Sequence, residues 1–254
     1  MGPERPAIVS ILVSVAVILL AAAFRGVTGF GFALIAMIGL SPFFSASLLA
    51  PLVIASDLMV TGLILAERKG APVDWPSFTL MFVFGIIGAA FGPLFAHAID
   101  DDTAKFCIGL AVLAAALVSM VKKPPALLAT PAAGMVASLI VGFLLSAFAA
   151  GGPIVVAWLL AKRLAPDRFR GTLALFFGLI DLMTLIMRFA YGTVPDGFAG
   201  QLVLFLPVTL AGYLIGLFAV RRMTSEHWRF FTRYGLFFIA LIGALRAAVS
   251  AFRL

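Results

Sequence analysis

Arg25-Gly26-Val27-Thr28-Gly29-Phe30-Gly31 interrupts the chain where an apolar run over residues 7–24 ends. A shorter apolar limb follows and stops near Leu40. The pattern returns later: an apolar run over residues 132–148 meets Ala149-Ala150-Gly151-Gly152-Pro153, and a limb ending near Ala161 follows. That limb is about a dozen residues, or ~18 Å of helix, which is short for a ~30 Å hydrocarbon core. The fold turns on whether each interrupted limb crosses once or folds back as a hairpin.

Composition sets the medium. The 254 residues are 63% hydrophobic and 11% charged, with a mean hydropathy of +1.18. A soluble domain carries about a quarter charged residues. Apolar stretches of roughly 16 to 22 residues, separated by charged loops, are long enough to cross a bilayer as helices. No period-two alternation marks barrel strands, and backbone amides in lipid need internal partners, so the expected class is an all-α polytopic membrane protein. The net charge of +7 sits in short loops between apolar runs, the positive-inside pattern of a membrane protein, and it excludes nucleic acid as a partner. Cys107 is the only cysteine and His97 and His227 are the only histidines. No disulfide, metal site or cofactor is expected. Ala21-Ala22-Ala23 faintly resembles a signal-peptidase site, but apolar sequence resumes at once, and the first run is read as an uncleaved helix.

The chain repeats itself. An ungapped offset of 124 residues carries Asp57-Leu58-Met59 onto Asp181-Leu182-Met183, Phe24 onto Phe148 and Pro42 onto Pro166. It also carries Leu49-Ala50 onto Leu173-Ala174, and Gly88 and Gly92 onto Gly212 and Gly216. Two homologous halves are expected, residues 1–123 and 128–254, joined through Lys122-Lys123-Pro124-Pro125 with 124–127 as linker. Each holds a broken limb and three spans: about 45–66, 76–97 and 104–121, then 170–190, 200–220 and 230–252. If both broken limbs are hairpins, Arg68, Lys69, Lys122, Lys123, Lys162, Arg163, Arg168, Arg170, Arg221, Arg222 and Arg229 share one face. Arg5, Lys105, Arg253 and the acidic run Asp100-Asp101-Asp102 take the other. If each limb crosses once, the basic residues divide almost evenly. The positive-inside rule therefore predicts hairpins, inverted repeats and both termini outside the cytoplasm. Inverted repeats with broken helices are a transporter architecture, with substrate bound where the breaks meet and one repeat rocking against the other. The glycine pairs Gly88/Gly92 and Gly212/Gly216 are read as close helix packing.

Charges inside apolar runs are costly, ~2.5–3.5 kcal/mol each on insertion scales. Arg25 lies at the first break. Its guanidinium suits bidentate binding of an oxyanion, and it equally suits neutralising Asp57; both readings stand. Backbone amides after Thr28-Gly29 and after Gly151-Gly152 would start short helices, whose N-termini favour anions. Candidate substrate-binding residues are therefore Arg25, Thr28, Gly29, Phe30, Gly31, Gly151, Gly152 and Pro153. Asp57 and Asp181, mid-span and equivalent in the repeat, are candidate proton carriers. Asp181 has a competing structural reading in Arg188, two turns on along the same face. Arg246 is expected to snorkel or pair. Pro42, Pro166 and Pro207 are expected to start or bend helices. Trp75, Trp158 and Trp228 fit an interfacial aromatic belt. No nucleophile–base arrangement or metal-ligand spacing points to an enzyme.

The stretch Gly26-Val27-Thr28-Gly29-Phe30-Gly31-Phe32-Ala33-Leu34-Ile35-Ala36 resembles the first-repeat signature of the TauE/SafE sulfite exporter family. Gly151-Gly152-Pro153 through Leu160, followed by Phe169-Arg170-Gly171-Thr172-Leu173-Ala174-Leu175-Phe176-Phe177, resembles the second. Two positions depart from it: Met37-Ile38-Gly39 stands where a proline is common, and Ile154 replaces the last proline of a Gly-Gly-Pro-Pro run. The resemblance implies a bacterial inner-membrane permease for sulfite or small organosulfonates. The resulting expectation is a secondary transporter of a small anion, by alternating access and with proton coupling. The alternatives are a passive anion channel and a membrane scaffold subunit that transports nothing. Its partners would be the anion and the lipid bilayer. Exposed apolar faces need only lipid, which leaves monomer and homodimer both open.

Overall fold

The computed structural model describes residues 4–40, 43–44, 46–67, 72–96, 126–148, 152–190, 192 and 194–251. Among them every regular element is helical: α1 (Glu4–Thr28), α2 (Phe32–Leu40), α3 (Ala46–Leu65), α4 (Trp75–Ala96), a 3-10 turn (Ala126–Ala129), α5 (Pro131–Phe148), α6 (Gly152–Ala161), α7 (Pro166–Ala190), α8 (Phe198–Val220) and α9 (Ser225–Ala251). The span expected at 104–121 lies outside the described residues. So do Pro42, Arg68, Lys69, His97, Asp100-Asp101-Asp102, Lys105, Cys107, Lys122 to Pro125, Gly151 and Arg253, and the side chains of Arg5 and Arg246. Ala126 and Leu127, at the end of the expected linker, belong to the 3-10 turn.

Local chemistry sets the helix ends. Pro131 and Pro166 occupy the first positions of α5 and α7, where proline's missing N–H costs nothing and its φ is already helical. The Thr224 hydroxyl accepts the His227 N–H at 3.3 Å, with Glu226 in the first turn of α9. That cap starts α9 several residues before its apolar stretch. The described residues contain three helical segments long and apolar enough to cross a membrane: Ile11–Thr28, Pro166–Ala190 and Phe198–Val220. Pro207 sits inside α8 rather than at a helix start.

The chain divides into two compact units, each drawn from both halves of the sequence. The first comprises Met1–Ala71 and Phe177–Met223, the second Pro72–Phe176 and Thr224–Leu254. In the first unit α1 packs along α8. A Cβ on Gly212 would collide with the Leu19 carbonyl and the Ala22 methyl, and one on Gly216 with the Ala23 carbonyl. In the second, α5 packs along α4. There Gly88 meets the Leu139 carbonyl and Gly142 meets the Gly85 carbonyl. The 124-residue offset carries α1 onto α5 and α4 onto α8, so both units use the same helix pair with the halves exchanged. In each, glycine lets backbones approach where lipid offers no hydrophobic drive to associate. Gly88, Gly212 and Gly216 are packing residues, as their spacing suggested.

Both short limbs fold back. In the first unit Ile18, Ala21 and Ala22 of α1 pack with Phe32, Ala36 and Leu40 of α2 and Leu49 and Val53 of α3. Gly39, near the end of α2, faces the Val17 side chain. The second limb therefore runs back along the first. In the second unit the Trp158 indole of α6 donates to the Thr130 carbonyl at the start of α5, at 3.0 Å, and lies against Gly134. Large apolar side chains such as Ile11, Leu12, Val203, Leu204 and Phe218 are exposed, while Arg25, Thr28, Asp57 and Thr61 are buried. This inversion is what a lipid solvent selects.

The tryptophans divide. Trp75 is exposed. Trp158 and Trp228 depart from the expected belt: Trp158 is buried in the α5–α6 hairpin, and Trp228 is 1% exposed against the edge of Phe169, with ring centroids 5.0 Å apart. Their positions near span ends suggested an interface, but packing partners distant in sequence cover both.

Candidate functional site

The first unit holds the buried charges Arg25 and Asp57, and the second holds buried Arg170. α1 continues as helix through Arg25 to Thr28, so the break is narrower than the seven-residue interruption in the sequence. It comprises Gly29, Phe30 and Gly31. Gly29 and Gly31 have φ of 83° and 92°, a left-handed conformation that a Cβ disfavours. The Gly29 N–H closes on the Arg25 carbonyl at 2.7 Å. The Thr28 hydroxyl serves the Phe24 carbonyl at 2.8 Å or the Phe30 carbonyl at 3.0 Å, and its oxygen accepts the Phe30 N–H at 3.4 Å. The Phe30 ring packs edge-on against Phe24, with centroids 5.5 Å apart.

These bonds change the assignment of anion donors. The amides of Gly29 and Phe30 are already satisfied within the break. The first intrahelical bond of α2 runs from the Ile35 N–H to the Gly31 carbonyl at 3.0 Å. The amides of Phe32, Ala33 and Leu34 precede it, and no helical carbonyl lies behind them. The donors that a helix N-terminus offers an anion are therefore one turn further along than the sequence suggested.

Arg25 is 1% exposed. Its Nη1 donates to the Gly29 carbonyl at 2.6 Å and its Nη2 to the Thr61 hydroxyl at 2.9 Å. Its Nε faces Asp57 Oδ1 at 2.9 Å, an approach by charge without an aligned hydrogen bond. The Phe177 ring lies under the guanidinium at 5.7 Å, within cation–π range. Of the two readings of Arg25, the structure contains the ion pair with Asp57, and it adds a tie to the break itself. Thr61 was missed in the sequence, although it lies one turn beyond Asp57 on the same face of α3.

Asp181, the repeat equivalent of Asp57, reaches the same place. α7 approaches α3 closely at Gly178, where a Cβ would meet the Thr61 side chain. Asp181 lies one turn beyond Gly178 on α7 and Asp57 one turn before Thr61 on α3, so both aspartates belong to this approaching pair of helices. Asp181 also has Arg188 two turns on along the same helix. Arg25, Thr28, Gly29, Phe30, Gly31 and Asp57 thus form one neighbourhood in the first unit, and Asp181 lies on the part of α7 that belongs to the same unit.

Gly152 and Pro153 belong to the second unit, in the first turn of α6, with Pro153 buried. That unit has its own polar cluster at the mouth of α4. Lys162 donates to the Ser77 hydroxyl at 2.5 Å, and Ser77 in turn donates to Asp74. Lys162 also lies 3.6 Å from the Asp74 carboxylate and 5.1 Å over the Trp158 ring. The Asp74 N–H donates to the Thr172 hydroxyl at 2.9 Å. Burial works against the Asp74 carboxylate, but the Ser77 hydroxyl and the Lys162 ammonium outweigh it, and its pKa falls below the usual carboxylate value. No group of three His, Cys, Asp or Glu able to hold a metal occurs among the described residues.

A family model described as Sulfite exporter TauE/SafE matches residues 14–245. No curated protein and no solved structure matches the chain.

Proposed function

The chain belongs to the TauE/SafE sulfite exporter family, a family of membrane transporters, and on that premise we propose that it is a secondary transporter of a small sulfur-containing anion, sulfite or an organosulfonate. It would work by alternating access between inverted repeats in the bacterial inner membrane, with both termini periplasmic. Its partners are then the anion and the bilayer.

One observation carries the anion reading: a buried guanidinium is tied to the carbonyl of a broken limb whose next helix begins with three amides lacking helical acceptors. A cation and a helix N-terminus offered within a few residues favour an anion of one or two charges. The amides of Phe32 to Leu34, with the positive field of Arg25, would hold it. Asp57 and Asp181 would carry the coupled proton.

Uptake of mass-detected sulfite and isethionate into proteoliposomes, with and without a pH gradient, tests the reading. Arg25→Lys keeps the charge but loses the planar fork that holds Gly29 and Thr61 together. Its uptake should fall at least about tenfold, the ~1.4 kcal/mol of one charge-assisted bond. Uptake equal to the parent's removes Arg25 from the anion site. Flux that never exceeds equilibration identifies a channel, and no flux from folded protein identifies a scaffold.

A further inference from the structure

In the second unit, α9 sorts its surface into stripes. Trp228, Thr232 and Leu236 are buried, and the Trp228 ring lies against Phe169 at the start of α7. Phe230, Tyr234, Phe238, Ile242 and Leu245 are exposed. Their three- and four-residue spacing makes one apolar row along the helix, which in a bilayer faces acyl chains. Arg229 and Arg233 fall between the two stripes, ~100° of helix rotation from each, and both are half-buried. They form a seam at the polar end of the lipid-facing row.

The seam lacks a counter-charge. Among the described residues neither Arg229 nor Arg233 forms an ion pair. Arg229 Nη2 donates to the Arg163 carbonyl at 3.3 Å, where the loop after α6 turns with an Arg163 φ of 54°. The buried Nε of Arg233 has no hydrogen-bond partner among the described residues. Glu226 and Asp167, in the first turns of α9 and α7, pair with neither arginine. Lys162, from the same loop as Arg163, is held by Asp74. Helical side chains lean toward the N-terminus, which carries Arg233 toward Arg229, and like charges one turn apart repel.

A ligand that suits this place offers a phosphate to two guanidinium forks and an apolar chain to the row beside them. We infer that the Arg229–Arg233 seam binds the headgroup of an anionic phospholipid, with its acyl chains along Phe230, Tyr234 and Phe238. Arginine pockets between membrane helices commonly hold such headgroups. Free phosphate would satisfy the arginines and leave the row unused. A second copy of the chain would cover the row, but the seam would still need an anion. The site belongs to the second unit, and it holds whichever anion the chain transports.

The test uses purified full-length protein in dodecyl maltoside micelles with equimolar dioleoyl phosphatidylglycerol and dioleoyl phosphatidylcholine. Native mass spectrometry should show phosphatidylglycerol retained in preference to phosphatidylcholine by at least about tenfold. The thermal midpoint should rise saturably with phosphatidylglycerol, as for a ligand of the native state. Phosphatidylcholine, or inorganic phosphate at the same concentration, should not raise it. Arg229→Gln combined with Arg233→Gln should weaken phosphatidylglycerol binding at least about tenfold, through loss of charge-assisted bonds. Lys162→Gln, which removes a neighbouring charge outside the seam, should change it by no more than about twofold. Equal retention of the two lipids overturns the inference, as does unchanged affinity in the double variant. A midpoint raised as far by inorganic phosphate shows a soluble-anion site instead. Disulfide cross-linking of Phe230→Cys in a Cys107→Ser background, with phosphatidylglycerol present, shows that a second copy covers the row, and also overturns it. The lipid and phosphate comparisons use the parent protein, so a variant that fails to fold does not blunt them.

Discussion

At the first break the chain turns through Gly29 and Gly31 with positive φ, beside a buried guanidinium; 124 residues later, the position matching Arg25 is Ala149, and the short helix begins at Gly152 with a proline in its first turn. The two limbs share their folding back and their glycine-lined helix pairs. They differ in charge. The 124-residue offset matches Asp57 with Asp181 but matches Arg25 with an alanine. The buried Arg25–Asp57 ion pair lies in the first unit, and the partly exposed Lys162–Asp74 pair in the second. The two helix pairs pack alike through glycine, and the arginine has no counterpart at position 149.

The sharpest way to break this comparison is to remove the arginine. Arg25→Ala leaves Asp57 buried beside an empty volume and should cost ~3–5 kcal/mol, the usual penalty for breaking a buried pair from one side. Thermal unfolding in detergent reads the loss; a shift no larger than that of a surface mutation would show that the pair is not the centre of the first unit. The packing frames should instead respond alike. Gly88→Ala and Gly212→Ala each drive a methyl into a carbonyl of the facing helix, and each should destabilise by about 1–3 kcal/mol. A large effect in one unit and none in the other would mean that the matched pairs are not equivalent. The breaks should differ: Gly29→Ala forces a Cβ into left-handed backbone, at ~1–2 kcal/mol. Gly152→Ala, at a helical residue, should be close to neutral or slightly stabilising.

The scaffold was legible because lipid makes composition speak. Apolar length located α3, α4 and α8 to within a few residues, and small-residue interruptions located both hairpins. The ends of α7 and α9 were less visible, since Pro166-Asp167 and Thr224-Ser225-Glu226 start helices with polar residues ahead of the apolar stretch. The site was only half legible. A buried arginine and two aspartates stand out in any apolar run, but their partners do not. Thr61 is an ordinary threonine until α3 turns it toward Arg25. Rotation along one helix, which sets Arg188 two turns from Asp181, is computable from sequence, whereas the approach of α7 to α3 at Gly178 is not. The satisfied amides of Gly29 and Phe30 followed from the Thr28 hydroxyl and the tight turn, details that motif resemblance cannot carry.

The smallest expected effect concerns the polar cluster of the second unit, and it sharpens the contrast by its modesty. Asp74, Ser77 and Lys162 tie the start of α4 to the end of α6. The Lys162 and Asp74 side chains keep 27% and 15% of their surface exposed, so water screens the pair and it should contribute only ~0.2–1 kcal/mol. Its pH dependence has a definite sign. The carboxylate's pKa is lowered in the fold, so the unfolded chain binds more protons there than the folded one. The stabilisation is complete above the ordinary carboxylate value and disappears as the pH falls through the lower folded value. Asp74→Asn should therefore lower the thermal midpoint slightly at neutral pH, and the gap from the parent should close in acid. Arg25→Ala should leave a deficit of several kcal/mol at neutral pH, because no solvent reaches the Asp57 carboxylate to relieve it. If the two substitutions cost the same at neutral pH, the division between a buried working centre and a solvated structural tie does not hold.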